Sequence, residues 1–523
     1  MKKNFIIIFL FVLIANCRGQ VTFQKTLGGI NFDYGQSIQQ TTDEGYIVAG
    51  YTGWGTSNSD VYLIKTDSSG NLYWTRTFGG TNEDYGEEVR QTTDGGYIIA
   101  GSTKSFGAGS YDIYLIKTDS IGDTLWTKAF GGIDYEEGLS VKPTTDGGYI
   151  LVGYTYSFGA GGSDIYLIKT NNNGDTIWTR TFGGGGYDFG NFVNQTSDGG
   201  YIISGYTNFG VGYEDVYLIK TDNNGNAIWT KTFGATIINS GNSVQQTTDG
   251  GYIIVGATGD FMSYTMDVYV IKTDSIGNVI WTKTFGGANN DKGISVQQTT
   301  DGGYIFSGFT GSFGAKFNDA YLIKTDANGN SLWEKTFGGT GNDIGFSVQQ
   351  TKDGGYVLAG WNSSFGAGYY DFNFIKTDLN GNSGCNEGNA STSLTTPPTT
   401  VSSPPTIAGS TTTVVTIPAT IVGSGGSANV LCTSVGMNEI AIDNAFLISP
   451  NPSNGNFVIS FSSFINNGTI DIYNTVGEKY FSNKITYESK KEITLKNISA
   501  GIYFVKVFDG ERSYCKKLIF EHD

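Results

Sequence analysis

The sequence predicts an all-β protein, because a unit of 51 or 52 residues occurs seven times and each copy holds about four short strands. Three landmarks recur in fixed order, a WTKTFGG-like, a GGYI-like and an IKTD-like segment. Apolar residues do not follow helical spacing anywhere in the copies. The second landmark marks the seven copies by Tyr46, Tyr97, Tyr149, Tyr201, Tyr252, Tyr304 and Tyr356.

The copy at 79–130 shows the strands of one unit. They are predicted at 89–93, 96–101, 112–118 and 125–130, and an Asp-Gly pair between the first two is typical of a hairpin. The second strand has no polar face, so the sheet must be covered on both sides. Similar sheets arranged around an axis cover one another, which predicts a seven-bladed β-propeller over 21–384.

The two ends of the array predict how the ring closes. The seventh copy lacks its WTKTFGG strand, whereas the chain carries an isolated copy of that strand at 21–29, with Phe23 in place of Trp. This N-terminal strand is expected to become the fourth strand of the last blade. An open solenoid would instead need atypical capping repeats, and the sequence shows none.

The amino-acid composition limits the classes of function that the protein can have. The net charge is −16 and the pI about 4.6, which argues against nucleic acid as a partner. The chain has one histidine and five arginines, and the repeats contain no cysteine. No nucleophile–base pair, metal cluster or phosphate loop is visible, so the sequence predicts no catalytic residue, no metal site and no cofactor.

Residues 1–20 have the pattern of a signal peptide, with Lys2 and Lys3 before an apolar run too short to span a membrane. Two processing routes stay open. Cleavage near Gly19 or Gln20 would free the closing strand, whereas Cys17 raises the possibility of lipidation.

Residues 385–441 read as a Thr/Ser/Pro/Gly-rich linker with a degenerate short repeat, so extended and little-packed chain is expected. Cys385 and Cys432 bracket it. In an exported chain such a pair favours a disulfide, and two free thiols are the alternative.

The last part, 442–523, has the pattern of a small β-sandwich, with strands predicted at 458–462, 469–479, 492–507 and 514–521. The segments PNPSNGNF, DIYNTVGEK, LKNISAGIYFVKVFDG and KKLIF occur here in order. Together they resemble the type A C-terminal sorting domain of the Bacteroidetes type IX (Por) secretion system. The resemblance implies Sec export, passage across the outer membrane through the type IX machinery, and release or surface attachment.

The repeats also resemble propeller blades, through the D-x-x-G-x-x-x-W pattern of Asp67, Gly70 and Trp74. The pattern is similar to that of quinoprotein-like propellers and to the Asp-box of sialidases. Those enzymes' functional parts are missing, since the array has neither an arginine cluster nor a cysteine pair. The resemblance therefore implies a fold and no activity.

Two repeated residues are expected to be structural, an Asp before the third strand and a Lys near its end, because a binding site on a ring needs its special groups only once. Turns such as 222–226 are read as plain turns and not as calcium loops. A second acidic set is placed in the loops between blades, at Asp33, Asp84, Glu136, Asp188, Asn239, Asp291 and Asp343.

The long-loop face is the predicted ligand face, because the opposite face has only tight turns. Exposed aromatics beside carboxylates suit sugars or a protein partner. A regular Phe in each of these loops is expected to tuck between blades. The predicted ligand-binding residues are Trp54, Tyr187, Tyr213, Tyr264, Phe317, Tyr369 and Tyr370.

Three functions remain open. The favoured one is a secreted or cell-surface binding or adhesion protein with a glycan or protein ligand. The second is a secreted hydrolase or lyase acting on polysaccharide, for which the best local cluster is Asp134, Glu136 and Glu137. A purely structural surface-layer role is the third.

Overall fold

The computed structural model describes residues 20–54, 58–208, 213–234, 238–260, 265–366, 368–392, 399–402, 407–409, 414–416, 421–423, 427–436, 446–465, 468–474, 479–495, 499–508 and 513–521. These residues form β-strands and no helix, which confirms the all-β prediction. Accordingly, they contain no helix of the length and apolarity that crossing a membrane requires. The predicted signal peptide and Cys17 lie outside the described residues, apart from Gln20.

The described chain begins with β1 (Gln20–Gly28), and each repeat then contributes strands to one antiparallel sheet. Sheet 1 contains β2 (Phe32–Gln40), β3 (Tyr46–Trp54), β4 (Asp60–Thr66) and β5 (Leu72–Gly79). Sheet 2 contains β6 (Asp84–Gln91), β7 (Tyr97–Thr103), β8 (Asp112–Thr118) and β9 (Thr124–Gly131). Sheet 3 contains β10 (Glu136–Pro143), β11 (Tyr149–Thr155), β12 (Asp164–Thr170) and β13 (Thr176–Gly183). Sheet 4 contains β14 (Asp188–Gln195), β15 (Tyr201–Thr207), β16 (Asp215–Thr221) and β17 (Ala227–Gly234).

The remaining repeats follow the same order. Sheet 5 contains β18 (Ile238–Gln246), β19 (Tyr252–Asp260), β20 (Thr265–Thr273) and β21 (Val279–Phe285). Sheet 6 contains β22 (Asp291–Gln298), β23 (Tyr304–Thr310), β24 (Asp319–Thr325) and β25 (Ser331–Phe337). Sheet 7 contains β26 (Asp343–Gln350), β27 (Tyr356–Asn362), β28 (Asp371–Thr377) and, as its fourth strand, β1.

The first strand of each sheet starts earlier than the sequence indicates. The prediction for the second repeat is 89–93, whereas β6 spans Asp84–Gln91. The acidic set assigned to the loops between blades therefore lies inside the first strands. We call these first strands the inner strands, since each contacts the inner strands of the neighbouring sheets.

Apolar side chains cover both faces of the middle strands, so each sheet shares a core with the next. All residues of β7 and β8 are buried. One core cluster joins Ala49 and Leu63 of sheet 1 to Ile99 and Ile116 of sheet 2, and comparable clusters join the other neighbours. The apolar contact between sheets, which the sequence pattern demands, is the main stabilising interaction of the repeats.

A tryptophan explains the D-x-x-G-x-x-x-W pattern. Trp74 of sheet 1 packs against the turn glycine of sheet 2, Gly122, whose φ is 84°. A Cβ at Gly122 would lie 2.8 Å from the Trp74 ring, so a side chain there would displace it. The pattern thus describes a contact between consecutive repeats, in which the Gly accepts a left-handed turn and the neighbour's indole ring.

The same contacts occur between sheet 7 and sheet 1. Phe23 of β1 packs against the turn glycine Gly70, as Trp74 does against Gly122. The Asp33 amide donates to the Tyr370 carbonyl at 2.8 Å, matching the bond from the Glu136 amide to Tyr111. These two kinds of contact between successive repeats are therefore also made between sheet 7 and sheet 1.

The repeated lysines form ion pairs within their own sheets, which confirms that they are structural residues. In each sheet the Lys near the end of the third strand pairs with the Asp of the turn between the first two strands, as Lys117 does with Asp94 at 2.9 Å. The other pairs are Lys65–Asp43, Lys169–Asp146, Lys220–Asp198, Lys272–Asp249, Lys324–Asp301 and Lys376–Asp353.

Residues 387–436, expected to be extended and little packed, add a fifth strand to the outer edge of six repeat sheets among the described residues. The strands are β29 (Glu387–Asn389) on β25, β30 (Thr400–Ser402) on β17, β31 (Ile407–Gly409) on β13, β32 (Val414–Thr416) on β9, β33 (Ile421–Gly423) on β5 and β34 (Ser427–Gly436) on β1. Four of them start seven residues apart, at 400, 407, 414 and 421, so the degenerate short repeat supplies one strand per sheet. We call residues 385–436 the belt.

The belt visits the sheets in the order 6, 4, 3, 2, 1 and 7, and passes sheet 5 where the Tyr269 and Thr399 hydroxyls are 2.5 Å apart. A disulfide joins Cys385, just after sheet 7, to Cys432, in the belt strand that pairs with β1 of the same sheet. The belt and its disulfide therefore form a covalent loop that runs along all seven repeat sheets.

The C-terminal unit begins at Val435 and contains two sheets within the described residues. One has β35 (Phe446–Ser449), β36 (Asn456–Ile465) and β39 (Glu488–Thr494), and the other has β37 (Gly468–Asn474), β38 (Lys479–Ile485), β40 (Gly501–Phe508) and β41 (Ser513–Phe520). Both sheets bury side chains in one core, including Phe457, Ile459, Ile472 and Val505. The single strand predicted at 492–507 is wrong, because β39 and β40 belong to different sheets.

Removal of the disulfide should destabilise the repeats. The bond closes a loop over a sequence separation of 47, for which chain entropy predicts about 4 kcal/mol. We expect Cys385→Ser/Cys432→Ser to lower the free energy of unfolding by about that amount in urea titrations, with native circular dichroism retained. Wild-type protein under reducing conditions should match the variant, and an unchanged midpoint in both would show that the belt closure does not stabilise the repeats.

Buried carboxyl pairs predict a pH dependence. At the start of the third strand, burial and then the carboxylate of Glu136 raise the pKa of Asp112 to about 6. Burial likewise raises the pKa of its counterparts to about 6, in Asp60, Asp164, Asp267 and Asp319. Because these folded-state pKa values exceed the unfolded value, their stability contribution is complete below pH ~4 and is lost as pH rises to about 6.

We therefore expect a lower melting temperature at pH 6.5 than at pH 4.5. Asp94 has the opposite shift, since hydrogen bonds from Thr92 and Lys117 outweigh burial and lower its pKa to about 2, so its effect falls below this window. Asp112→Asn/Asp319→Asn should reduce the difference, whereas Asp123→Asn, at an exposed position, should leave it unchanged. A melting temperature that rises between pH 4.5 and 6.5 would contradict the assignment.

Candidate functional site

The inner strands enclose a cavity of about 910 Å³. Its walls come from the inner strands and from residues near the ends of the neighbouring strands, such as Tyr206 and Phe309. A volume of this size accommodates a small molecule or one to two sugar rings. We call it the inner cavity.

A β-bulge at one position of every inner strand directs a side chain into the inner cavity. In sheet 2 the pairing register shifts between Gly86 and Glu88, so Glu87 is the extra residue. The other six inner strands shift at the same place, after Gly35, Gly138, Gly190, Gly241, Gly293 and Gly345. The seven bulge residues all line the cavity: Gln36, Glu87, Leu139, Asn191, Asn242, Ile294 and Phe346.

The bulge residues differ from sheet to sheet, although the strands around them repeat closely. They comprise one acid, three amides and three apolar side chains, in positions related by the repeat. A bulge re-aims a side chain at the expense of one ladder bond and is typical of binding sites. The structure thus places seven side chains of varied type around one shared space.

A second set of cavity residues lies nearer the Asp-Gly turns and holds neighbouring sheets in register. The Gln39 side chain accepts a hydrogen bond from the Gln91 amide of the next sheet at 2.6 Å, and Gln349 does the same with Gln40 across sheets 7 and 1. Sheets 2 and 3 depart from this pattern. The equivalent residues are Gln39, Arg90, Lys142, Asn194, Gln245, Gln297 and Gln349, and all line the cavity.

The departure in sheets 2 and 3 is a buried charge network around Glu88. Arg90 and Lys142 both bond to Glu88 Oε1, while the Ser140 hydroxyl and Val141 amide donate to Oε2 at 2.6 and 2.7 Å. Five of the other six sheets carry Ser at the Glu88 position, as in Ser37, and sheet 4 carries Phe192. One carboxylate and two cations therefore replace a serine and two glutamines of the repeat.

Lys142 is the most perturbed cation of the cavity wall. Its ammonium nitrogen lies 4.0 Å from the centre of the Phe192 ring. Burial and the neighbouring Arg90 lower the pKa of Lys142 to about 7, against the opposing effect of Glu88. In this network two basic side chains, Arg90 and Lys142, bond to the single carboxylate of Glu88.

Glu87 also lines the cavity, and the carboxylate of Glu137 lies close to it. Burial, and then the Glu137 carboxylate, raise the pKa of Glu87 well above its ordinary value. The hydroxyls of Tyr135 and Tyr154 donate to Glu137 Oε2, the first at 2.8 Å, and the two rings stack 5.9 Å apart. The result is a carboxyl pair bordered by tyrosines.

Sheets 6 and 7 add the apolar residues Ile294, Phe309 and Phe346 to the wall, together with polar residues such as Gln297 and Gln349. One further charged pair joins sheet 4 to sheet 6. Burial raises the pKa of Glu214 and lowers that of Lys292, and each opposes the shift of the other. The cavity wall therefore combines charged, polar and apolar side chains, a mixture that small-molecule sites commonly have.

The predicted ligand-binding aromatics lie in the loops and do not line the inner cavity. Tyr187, Tyr213 and Phe317 are 52%, 80% and 51% exposed. Phe32 stacks on Tyr369 at 5.1 Å and contacts Tyr370, which brings these two together. Ring contacts within the described residues join none of the others to one another.

The side chains of two predicted residues, Trp54 and Tyr264, fall outside the described part of the structure. Trp54 ends β3, with its backbone opposite Phe32, but its side chain is outside the described part. Tyr264 lies outside the described residues altogether.

The loop side chains of Phe106, Phe158 and Phe313 tuck against the cores, as expected, whereas Phe209 and Phe261 lie outside the described residues. Phe106 and Phe158 pack against the clusters shared with the preceding sheet, with rings 5.8 and 5.6 Å from Tyr114 and Tyr166. They are therefore scaffold residues and not ligand contacts.

The second acidic set is also structural. Glu136 is buried, accepts a hydrogen bond from the Gly132 amide at 2.7 Å, and accepts another from the Thr155 hydroxyl at 2.6 Å. Asp84 and Asp188 bind the equivalent glycine amides, of Gly80 and Gly184. The cluster of Asp134, Glu136 and Glu137 is therefore not one site, since Glu136 binds the backbone and Glu137 joins Glu87.

The bulge residues were missed because the inner strand was predicted to start five residues too late. Aligning the seven repeats shows a glycine, at 35, 86, 138, 190, 241, 293 and 345, followed by a residue of changing type. A glycine inside a strand pattern is a signal of a bulge. That signal was available in the sequence and points to Glu87 and its equivalents.

Comparison with known proteins identifies the C-terminal part. Residues 447–521 match the family described as "Secretion system C-terminal sorting domain". This part of the chain is a type IX sorting domain. Its two-sheet core is the C-terminal unit described above.

Other similarities are weaker. The chain is 28% identical over 150 residues to "Regulatory protein FlaEY" of Caulobacter vibrioides, covering 24% of this chain and 16% of that protein. It is 22% identical to "Uncharacterized WD repeat-containing protein L264" of Acanthamoeba polyphaga mimivirus, covering 68% of this chain and 37% of that protein. The chain thus spans well under half the length of both relatives.

Among solved structures, an endo-1,5-alpha-L-arabinanase from Thermotoga petrophila matches 67% of this chain and all of its own, at 12% identity and a TM-score of 0.27. The same enzyme in complex with TRIS matches at a TM-score of 0.28. Scores of this size assign neither a fold nor a function.

The Glu88 network predicts a specific pattern of stability changes. Glu88→Ser leaves Arg90 and Lys142 together without their acid, and we expect it to destabilise the protein by about 3–5 kcal/mol. Glu88→Ser/Arg90→Gln/Lys142→Gln reproduces the residues of the other repeats and should be within about 1 kcal/mol of wild type. Urea titrations measure both; equal destabilisation by the two variants would show that the network is required for folding.

Proposed function

We propose that the seven repeat sheets are the blades of a β-propeller over 21–384, closed by the N-terminal strand 21–29. The contacts of Phe23 with Gly70 and of Gln349 with Gln40 support closure, because they reproduce the contacts between consecutive sheets. The belt, within 385–441, follows the propeller, and 442–523 forms the sorting domain.

We propose that the protein is made with the signal peptide 1–20, crosses the inner membrane through Sec, and leaves the cell through the type IX machinery. The sorting domain at 447–521 supports this route. The Cys385–Cys432 disulfide is compatible with it, since disulfides form in exported proteins. The product is secreted or attached at the cell surface.

The best-supported function is non-catalytic binding, with the ligand held in the inner cavity. One observation carries this: the seven bulge residues comprise six residue types at equivalent positions, and all seven line one cavity. A scaffold alone gives no reason for the difference. The ligand is a small molecule or a terminal group of a glycan or protein that enters from the long-loop face.

Exposed loop aromatics extend the proposed surface. Tyr187, Tyr213, Phe317 and Tyr369 stand on the side where both sets of long loops meet, as the bonds between those loops indicate. Such rings suit the faces of sugars or an adhesive protein contact. We propose that these aromatic residues contact the outer part of the ligand, and that the inner cavity holds its end group.

A hydrolase or lyase is the second candidate, supported by the Glu87–Glu137 pair. Glycosidases use two carboxyl groups with separated pKa values, and burial raises the pKa of Glu87. Turnover of any member of a polysaccharide panel by wild type, abolished in Glu87→Gln and Glu137→Gln, would support an enzyme. Binding without turnover supports the first function.

Export should depend on the C-terminal unit. Deleting 446–521 in the native host should leave the repeats in the periplasm, because the sorting domain addresses the chain to the outer-membrane machinery. Immunoblots of periplasmic and extracellular fractions measure the result. Fusion of 435–523 to a periplasmic reporter should export the reporter; unchanged export of the truncated chain would refute the assignment.

Ligand binding should depend on the cavity. Against hits from a glycan and metabolite screen, we expect Phe346→Ala and Asn191→Ala to weaken binding about tenfold, since both side chains line the proposed site. Leu125→Ala, at an exposed position 57% accessible on β9, is the matched control. Loss of binding in Tyr213→Ala and not in Phe346→Ala would place the site on the loops instead.

A further inference from the structure

The Glu87 carboxylate is a cavity group with no counter-charge. No hydrogen bond or ion pair within the described residues reaches it. The nearest cations of the same wall, Arg90 and Lys142, both bond to Glu88 instead. Glu87 thus lines the cavity with no cation paired to its carboxylate.

A second carboxylate adjoins it. Glu137 lies close enough for its charge to act on Glu87, and two tyrosine hydroxyls already donate to it. These donors occupy one oxygen, Oε2. Two acids are therefore close together, one of them in the cavity wall, with no protein cation between them in the described part of the chain.

Aromatic rings surround the pair. Tyr51 and Tyr135 lie near the pair, since the charges of Glu87 and Glu137 act on both hydroxyls. Tyr51 packs edge-on against Tyr85 at 4.8 Å, and Tyr85 stacks with Tyr111 at 6.0 Å. Tyrosine faces attract organic cations, and adjacent carboxylates strengthen that attraction.

We infer that Glu87 and Glu137, with the tyrosines around them, recognise an ammonium group carried by the ligand of the inner cavity. This rests on the proposed binding function and names the ligand class for it. The ammonium would lie between the two carboxylates, and the remainder of the ligand would contact the apolar residues Ile294, Phe309 and Phe346. A neutral hydroxyl in the same place would leave the two acids uncompensated.

Protonation of Glu87 competes with the ammonium. Burial and Glu137 raise its pKa, and the groups whose charges couple to it are Glu137, Tyr51 and Tyr135, whereas Arg90 and Lys142 bond to Glu88. A bound cation favours the ionised carboxylate, so binding releases a proton and strengthens as pH rises through the Glu87 pKa. A neutral ligand produces neither effect.

The test uses two pairs of probes that differ in charge alone or nearly so. Choline is matched by 3,3-dimethylbutan-1-ol, and glucosamine by glucose. Isothermal titration of the full chain in two buffers of different ionisation enthalpy measures affinity and proton release together. We expect at least one ammonium probe to bind at least tenfold more tightly than its neutral partner and to release protons.

Variants separate the site from general charge effects. Glu87→Gln should abolish proton release and weaken the ammonium probe at least tenfold, while thermal melts confirm folding. Glu83→Gln removes the same charge from the loop before the same strand, where Glu83 bonds to Lys104 and Tyr111, and should change neither.

Each outcome decides the inference. Equal binding of the neutral partners overturns the ammonium assignment and leaves the cavity as a binding site. Binding of no probe also overturns it, and the cavity then stands or falls on the Phe346→Ala and Asn191→Ala comparison. Equal losses in Glu83→Gln and Glu87→Gln reduce the effect to net charge.

Discussion

Each repeat sheet is apolar on both faces, and this single constraint shapes the rest of the molecule. A sheet such as β6–β9 buries all of its two middle strands and can do so only between two similar sheets. A linear stack would expose two apolar faces at its ends. In the proposed propeller the chain avoids this, because β1 joins sheet 7 and Phe23 fills, against Gly70, the position that tryptophan fills elsewhere. The belt then adds strands to the outer edges, where unpaired strands would otherwise invite association.

Repetition explains why most polar residues are structural. The Lys–Asp pairs, the acids that bind glycine amides and the loop phenylalanines occur in nearly every sheet and solve the same local problem in each. Function has to be carried by positions where the repeat is broken. The bulges are such positions, because all seven sheets have the same backbone irregularity there while the side chains differ. Sheets 2 and 3 diverge furthest, with Glu87, Glu88, Arg90 and Lys142 in place of short or neutral groups.

Much of the fold could be predicted because it depends on local pattern. The strand count per repeat, the Asp-Gly hairpins and the orphan strand at 21–29 follow from residue types at fixed spacing. The belt could not be derived in the same way, since Thr, Ser, Pro and Gly form strands only where an edge is offered, as β5 offers one to β33. The predicted site residues, chosen as irregular loop aromatics, stay outside the cavity, because a register shift of one residue at Gly86 decides that Glu87 points inward.

Ring closure by β1 is the central claim, and native-state amide hydrogen exchange tests it most directly. If β1 completes the last sheet, amides at 22–27 open only with global unfolding and show the same free energy of exchange as amides at 125–130 of β9. Protection in β1 should also fall in Phe23→Ala, whose missing ring no longer packs on Gly70. Rapid exchange in β1 while β9 keeps full protection would contradict closure, because the array would then hold together without its first strand.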